Sequence, residues 1–183
     1  ILELVSEVNL TEVDDARQRD SLIDLATTRL KEEGEKPAPE RPSFVVKSRS
    51  NRHLSHVKFA VGMIMHHRKY DYMCVIRGWD AACSATASWK RTMRVGNLER
   101  KDNQPFYHVL VQDGSERYAA EDNLLPETNP TVIGHPEVGR YFDKFCATYY
   151  EPNPDLLEAY PEDLAFVLQQ QQQQQQQQEQ RQH

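Results

Sequence analysis

The sequence predicts a mainly β fold: a small SH3-like or partly open β-barrel with a short inserted helix, flanked by α-helical arms. From Phe44 onward, short runs rich in Val, Ile, Tyr and Phe alternate with turn residues, a pattern typical of strands. Two of these runs are separated by Asp113-Gly114, a dipeptide that favours a β-hairpin. On both sides of the β-rich segment, apolar residues recur at the spacing of amphipathic helices.

Residues 1–34 are predicted to be the helical tail of a preceding domain. The apolar residues from Ile1 to Val8 follow an i, i+3, i+4, i+7 pattern, and a second helix is expected between Thr11 and Gly34. The chain starts without Met or a basic leader, so we expect it to be a piece of a longer protein. Residues 35–43 are predicted to be a Pro-rich linker, because Pro cannot continue a helix.

Residues 44–125 are predicted to form the β-barrel domain. Its expected strands are 44–46, 62–66, 72–79, 106–112 and 116–120. Asp113 and Gly114 are expected to supply the two positive-φ residues of a type I′ turn. Ala85, Trp89 and Met93 are four residues apart, which predicts a short helix that covers the end of the barrel.

Residues 126–167 are predicted to be a C-terminal helical extension, with Pro136 at the first helical position. Its aromatic stripe would end before Pro152 and Pro154 and consists of Val138, Tyr141, Phe142, Phe145 and Tyr149. Residues 168–183 include ten consecutive Gln. This tail is predicted to be disordered, because a Gln run cannot build a core.

Length and composition exclude several classes of protein. The chain has 183 residues, which is room for one ordinary domain and not for two enzyme domains. No run approaches the roughly 20 apolar residues that cross a bilayer. The three Cys form no CxxC pair, which argues against a disulfide framework or a zinc ribbon. A reducing compartment, cytoplasmic and/or nuclear, is therefore expected.

The net charge of −6 is unevenly distributed along the chain. Residues 51–125 contain 11 Lys or Arg and 8 Asp or Glu, a net of +3, whereas the remainder contains 11 and 20, a net of −9. A mildly basic centre thus lies between acidic arms. This leaves room for a polyanion-binding patch, although nucleic-acid-binding domains are usually far more basic.

No set of residues predicts catalysis, a cofactor or a metal. His66 and His67 are neighbours, and neighbours on a strand face opposite sides, so they cannot both bind one ion. Cys83, His108 and Asp113 are the candidates for an activated thiol, but no nucleophile motif accompanies them. A small buried Cys is the favoured interpretation. The seven Gly form no phosphate-binding loop.

Basic and aromatic residues are interleaved around the predicted short helix. The basic members are Lys90, Arg91, Arg94, Arg100 and Lys101, and the aromatic members are Trp79, Trp89, Phe106 and Tyr107. Such a set is suited to a phosphate backbone with bases stacked on the rings, which makes it a candidate DNA-binding patch. The alternative, which we favour, is that the aromatics are core and the basic residues form a solvated face.

A long signature runs through the β-rich segment. Gly78-Trp79-Asp80 is followed by Cys83 and Trp89, then by residues 103–111 (NQPFYHVLV), Asp113-Gly114, residues 117–120 (RYAA) and Asn123-Leu124. From about Val57 to Leu125 the chain therefore resembles the YccV-like (HspQ-like) family, also labelled hemimethylated-DNA-binding. In eukaryotes such a domain closes the C-terminus of an F-box protein, the substrate receptor of a Skp1-cullin-F-box ubiquitin ligase. Bacterial relatives look like adaptors that feed proteins to a protease.

The resemblance and the lack of a catalytic set imply a protein-recognition module that directs clients to ubiquitination, with no cofactor. Skp1 and cullin would bind through an F-box absent from this chain. The predicted partner-binding residues are those expected to be exposed parts of the signature: Arg68, Tyr70, Asp80, Arg91, Asn103 and Gln104. The two amides could meet a peptide backbone or equally bond neighbouring loop carbonyls. The alternative function is a DNA-binding module that uses the basic patch from Lys90 to Lys101.

Overall fold

A computed structural model describes residues 48–50 and 52–182. The predicted N-terminal helices, the linker at 35–43 and the strand at 44–46 lie outside the described residues. The described chain falls within one compact unit, Val46–His183. None of its helices is long and apolar enough to cross a membrane.

The centre of the unit is a five-stranded antiparallel sheet. Its strands are β1 (Ile64–His67), β2 (Tyr72–Asp80), β3 (Phe106–Val111), β4 (Glu116–Ala120) and β5 (Leu124–Pro126). Their spatial order is β4-β3-β2-β1-β5. The four predicted strands from 62 onward are thus confirmed, together with the mainly β fold. The sheet is not closed into a barrel, because the end strands β4 and β5 do not pair with each other.

The β3–β4 hairpin forms at the predicted position but with a different turn. Gly114 has φ +83°, whereas Asp113 is not among the residues with positive φ, so the predicted type I′ turn is wrong. The Gly114 N–H donates to the Val111 carbonyl at 3.0 Å, and the Val111 N–H donates to the Ser115 carbonyl at 2.9 Å. This is a three-residue loop with a single left-handed Gly, the next commonest hairpin geometry.

The short inserted helix is confirmed as α1 (Ala87–Thr92). It begins after Thr86, whose side chain accepts a hydrogen bond from the Trp89 N–H at 3.3 Å, as an N-cap does. A 3₁₀ turn, Val95–Asn97, follows it, and two others lie at Arg52–Ser55 and Glu121–Asn123.

The C-terminal region is helical in part, as predicted, but the helix predicted from the stripe of Val138 to Tyr149 is wrong. The segment forms a single helical turn, α2 (Val138–Tyr141), and then a hairpin of β6 (Phe142–Phe145) and β7 (Tyr150–Pro152). Phe142 of the stripe lies in the main core with Tyr150. Tertiary packing outweighs local spacing when a sheet face is available to cover.

Two helices close the chain. Pro154 does not end a helix but occupies the first position of α3 (Pro154–Ala159), where the Asn153 side chain caps the Leu156 N–H at 2.9 Å. Helix α4 (Asp163–Gln182) then includes the Gln run, whereas the sequence predicts disorder there. Gln is a good helix former, which explains how a helix nucleated by packed residues can continue through it.

Helix α4 is fixed at its first residue. The Asp163 carboxylate is buried and accepts hydrogen bonds from the Val61 N–H at 2.7 Å and the Trp79 indole at 3.0 Å. It also pairs with the buried Arg52 guanidinium at 3.1 Å. Burial raises the pKa of Asp163, and the Arg52 charge opposes that rise. Charge and hydrogen bonds together compensate the cost of placing a carboxylate in the core.

Candidate binding groove

A second hydrophobic cluster lies beneath α1. Cys83, Val95, Phe106 and Ala120 form its buried part. Trp89 of α1 packs against it and contacts Tyr118 of β4, with ring centroids 5.6 Å apart. This cluster fixes α1 against the sheet. Cys83 is therefore a buried core residue, as the favoured interpretation predicts.

Between α1 and β4 lies a groove of about 740 Å³, which we call the β4 groove. One wall comes from α1 and the following turn, and the other from β4. The β1–β2 connection lies at one end. Its lining residues are His67, Lys69, Tyr70, Tyr72, Arg77, Trp89, Met93, Arg94, Val95, Asn97, Leu98, Phe106, His108, Asn123 and all five residues of β4, from Glu116 to Ala120.

One end of the groove is a stack of aromatic rings. His67 lies between Tyr70 and Tyr72, with centroid distances of 5.0 and 4.6 Å. The Arg117 guanidinium lies over the Tyr72 ring at 4.6 Å, a cation–π contact. Burial lowers the pKa of His67 to about 4, and the Arg117 charge acts in the same direction. The imidazole is therefore neutral at physiological pH, and it accepts a hydrogen bond from the Tyr70 N–H at 3.2 Å.

The groove combines apolar surface with positive charge. Met93 and Tyr70 expose 57% and 61% of their surface, high values for such large apolar residues. The charged lining residues are Lys69, Arg77, Arg94 and Arg117 against the single carboxylate Glu116, a net of +3. Arg77 pairs with Glu116 at 2.8 Å. Lys69 and Arg94 have no carboxylate partner among the described residues, so this surface favours an anionic ligand with apolar side chains.

Asp80 lies beside the groove as the centre of a buried polar cluster. Its carboxylate accepts hydrogen bonds from Tyr118 at 2.7 Å and from Ser84 at 2.8 Å, lies 3.3 Å from His108, and pairs with Arg49. Burial alone would raise the pKa of Asp80, but these hydrogen bonds and the Arg49 charge hold it below its usual range. A carboxylate of low pKa is a poor base.

The structure also does not bring the candidates for an activated thiol together in one site. His108 bonds to Asp80, whereas Asp113 lies in the β3–β4 turn and bonds to Ser115 and Arg117. The Ser84 hydroxyl bonds to Asp80 and to Tyr118. The arrangement is a structural network that orients β2, β3 and β4.

The predicted partner-binding residues occupy different places. Asp80 and Gln104 are buried, which corrects their assignment as exposed parts of the signature. The Gln104 amide donates to the Lys101 carbonyl at 2.9 Å and to Asp122 at 2.8 Å, so it shapes the loop, as the alternative interpretation predicts. Arg91 and Asn103 are exposed but do not line the groove. Only Tyr70 lines it.

Arg68 is exposed and donates a hydrogen bond to the Asp122 carbonyl. Its own N–H donates to the Asn123 carbonyl at 2.9 Å. These bonds join the end of β1 to the turn before β5. The role of Arg68 in partner binding stays a prediction.

The predicted basic patch is partly neutralised. Lys90 pairs with Asp102 at 3.0 Å, and Arg100 pairs with Asp122 at 2.8 Å and Glu121 at 3.0 Å. Arg91, Arg94 and Lys101 are exposed and have no ion-pair partner in the described part of the chain. Three of the five cations predicted for this patch are therefore available to bind a phosphate backbone.

Sequence reasoning missed several groove residues. Tyr72, Arg77, Arg117 and Tyr118 line the groove, yet none was predicted to bind. The alternation of strand side chains was the available signal, because His108 and Tyr118 are opposite in the register and share one face. What the sequence did not contain was the position of α1 beside β4.

The two neighbouring His residues contact different groups. His66 lies 3.2 Å from Asp71 and 3.6 Å from Glu127, whereas His67 is buried between two Tyr rings. Within residues 48–50 and 52–182, no three His, Cys, Asp or Glu side chains form a group that could hold a metal ion.

Comparison with known proteins adds two findings. The sequence profile of the family described as "Hemimethylated DNA-binding protein YccV like" matches residues 57–149, which reaches beyond the sequence signature into the β6–β7 hairpin. The proteins named F-box only protein 21 from Homo sapiens and from Pongo abelii are each 49% identical to this chain over 130 residues. The protein of that name from Mus musculus is 47% identical over 130 residues.

These alignments cover 71% of this chain and 21% of each relative. The chain therefore spans about a fifth of the length of the curated relatives that it matches.

Proposed function

The chain belongs to the YccV-like family, and from this premise we propose that it is the protein-recognition module of an F-box substrate receptor. In this role it binds client proteins, and other subunits of an SCF-type E3 ubiquitin ligase carry out the transfer of ubiquitin. The module itself is non-catalytic, and a cytoplasmic or nuclear location fits its three free Cys.

The observation that carries this proposal is the β4 groove. It has an open apolar surface, formed by residues such as Met93 and Tyr70, beside the cations Lys69 and Arg94, which have no carboxylate partner among the residues that the structure describes. Exposed apolar patches rimmed by charge are typical of protein-interaction sites. The relatives' name supplies the receptor context, in which Skp1 and cullin bind elsewhere in a longer chain.

The second candidate function is DNA binding. Two observations favour it: the family is described as hemimethylated-DNA-binding, and three cations of the patch are available, Arg91, Arg94 and Lys101. We rank it below protein recognition because Lys90 and Arg100 are held by carboxylates and because the chain as a whole is acidic.

The test uses the full-length receptor expressed in cells. Met93→Glu places a charge on the apolar wall of the groove, and Leu54→Glu is the matched control because Leu54 is 68% exposed and lies outside the groove. We expect Met93→Glu to remove nuclease-resistant client proteins from the purified ligase while Skp1 stays bound. Leu54→Glu should leave the client set intact.

Arg91→Glu and Asn103→Ala test the two exposed signature residues outside the groove. An unchanged client set in all four variants would overturn the proposal that this module recognises clients. Loss of every partner after nuclease treatment would favour DNA binding instead.

A further inference from the structure

The β4 groove crosses the free edge of the sheet. Neighbouring residues of a strand face opposite sides, yet all five consecutive residues of β4 line the same groove. A groove on one face of the sheet would contain only alternate residues. The lining therefore includes the edge of β4, where the main chain itself is available to a ligand.

The hydrogen bonds of the β3–β4 ladder identify the main-chain groups that face outward. Val111 bonds to Ser115, and the Glu121 N–H donates to the Pro105 carbonyl at 3.0 Å. Bonded pairs alternate in an antiparallel ladder, so Arg117 and Ala119 face β3 and the main-chain groups of Glu116, Tyr118 and Ala120 face outward. In the described part of the chain, the outward groups of Glu116 and Tyr118 have no main-chain or side-chain partner, whereas Ala120 caps the 3₁₀ turn that follows β4.

The open part of this edge is its first half. Glu116 and Arg117 are exposed and Tyr118 is half-buried, whereas Ala119 and Ala120 are buried. Glu116 and Tyr118 each offer one outward N–H and one outward carbonyl. Unpaired edge groups of this kind are a template for an added strand.

The charge around the open edge selects the occupant. Lys69 and Arg94 line the groove without carboxylate partners among the described residues. Arg77 is already neutralised by Glu116, and Arg117 of the edge strand by Asp113 at 2.9 Å. An incoming strand with acidic side chains would gain attraction from Lys69 and Arg94, while a basic strand would be repelled.

We infer that β4 pairs with an extended acidic segment of a client protein, which adds a sixth strand to the sheet. This inference rests on the proposed function, since the segment belongs to a client. The main-chain bonds to Glu116 and Tyr118 supply affinity, and Lys69 and Arg94 select for carboxylates. A single-stranded nucleic acid satisfies the cations but offers no alternating N–H and carbonyl groups to the edge.

The probe is a fluorescent peptide of about ten residues in which Glu and Val alternate, a length that spans an edge strand. Its binding to the purified chain is measured by fluorescence anisotropy. Two control probes are measured in the same way: the same peptide with Lys in place of Glu, and an oligothymidine of about equal length. We expect only the acidic peptide to bind. Binding of the oligothymidine alone, or of none of the three, would overturn the inference.

Main-chain pairing is tested without altering the protein. N-methylation of the Glu residues and of the Val residues blocks alternate sets of N–H groups, and only one set can face β4. We expect one methylated peptide to bind at least about tenfold more weakly and the other to bind like the parent. Equal effects of the two methylations would contradict strand addition.

On the protein side, Glu116→Pro removes one outward N–H and leaves the bonds to β3, because Glu116 is the first residue of an edge strand. Glu116→Ala is the matched control, which loses the same side chain but keeps the N–H. Arg94→Glu should abolish binding, and Arg140→Glu, an exposed site outside the groove, should not. Melting curves verify that each variant is folded.

These outcomes separate the inference from the proposed function. Normal peptide binding with an unchanged client set for Met93→Glu, Arg91→Glu and Asn103→Ala would overturn the proposed function alone. If clients are lost with Met93→Glu but Glu116→Pro and both methylated peptides bind normally, the groove recognises clients by another geometry and strand addition is wrong.

Discussion

Gly62 lies directly against the main chain of Tyr150, and this contact joins the five-stranded sheet to the β6–β7 hairpin. The Tyr150 N–H donates to the Gly62 carbonyl at 2.8 Å, and the Gly62 N–H donates to the Ile76 carbonyl at 2.9 Å. Gly62 has φ +88°, and a Cβ at this position would lie 2.2 Å from the Tyr150 carbonyl oxygen. Because both features exclude a side chain, the position requires Gly.

Gly62→Ala should therefore destabilise the unit by about 3 kcal/mol, from left-handed strain and from the clash with Tyr150. The free energy of unfolding is measured by urea titration. Gly114→Ala is the matched control: its φ is +83°, but a Cβ there meets nothing within 4 Å, so only strain of about 1 kcal/mol is expected. Equal losses in the two variants would mean that the Tyr150 contact is unimportant.

Arg52 and Asp163 form a buried ion pair that fixes the start of α4. Their side chains are 6% and 1% exposed, so neither charge can be hydrated when its partner is removed. Asp163→Ala should destabilise the unit by about 3 to 5 kcal/mol, because the Arg52 charge and the Trp79 and Val61 N–H groups all lose their acceptor.

A double-mutant cycle tests this coupling. Arg52→Met with Asp163→Leu removes both charges, and we expect the double variant to be at least about 1 kcal/mol more stable than the sum of the single losses implies. Additive losses would show that the two charges act independently.

His67 should make stability depend on pH in the acidic range. The unfolded chain takes up a proton on this residue below about pH 6.5, whereas burial keeps the folded pKa at about 4. Its contribution is fully present above the unfolded pKa and is lost as pH falls from 6.5 to 4, by about 3 kcal/mol in total.

The measurement compares unfolding free energies near neutral pH and at about pH 5. His67→Phe keeps a ring between Tyr70 and Tyr72 but cannot be protonated, so its stability should fall less between the two conditions than that of the wild type. An identical fall in both proteins would show that His67 does not titrate against folding.

How much of the fold the sequence could predict depends on how far apart in the chain the interacting residues are. The β3–β4 hairpin is local, and Asp113-Gly114 located it; its turn type depends on which carbonyl the Gly114 N–H meets, and the dipeptide alone does not determine that. The stripe of Val138, Tyr141 and Phe145 satisfies a helical period, yet the contact between Gly62 and Tyr150 draws that segment into a hairpin. The spacing of apolar residues cannot reveal a contact with a residue some 90 positions away in the chain.

The same reasoning applies to the polar residues of the signature. Asp80 was expected at the surface as part of the recognition signature, but Arg49, Tyr118 and His108, each far away in the sequence, satisfy its carboxylate in a buried position. Trp89 and Arg94, two of the interleaved basic and aromatic residues, lie near each other in the structure, since both line the groove. The ion pairs of the basic residues were not predictable, because each pair joins residues from separate segments of the chain.

The salt dependence of DNA binding distinguishes the two candidate functions. Each phosphate contact contributes about −0.9 to the slope of log affinity against log salt, so five contacts would give about −4.5. Because Lys90 and Arg100 are held by Asp102, Asp122 and Glu121, only three predicted cations remain, and the slope should be no steeper than about −2.7.

We therefore expect the chain to bind duplex DNA no more tightly than typical nonspecific binders at physiological salt. Fluorescence anisotropy with a labelled duplex over a range of KCl concentrations measures the slope. Asp102→Asn, which releases Lys90, should steepen it by about one contact, whereas Asp143→Asn on β6 should not. A wild-type slope near −4.5 that flattens stepwise as Lys90, Arg91, Arg94, Arg100 and Lys101 are replaced by Ala would make DNA binding the better assignment.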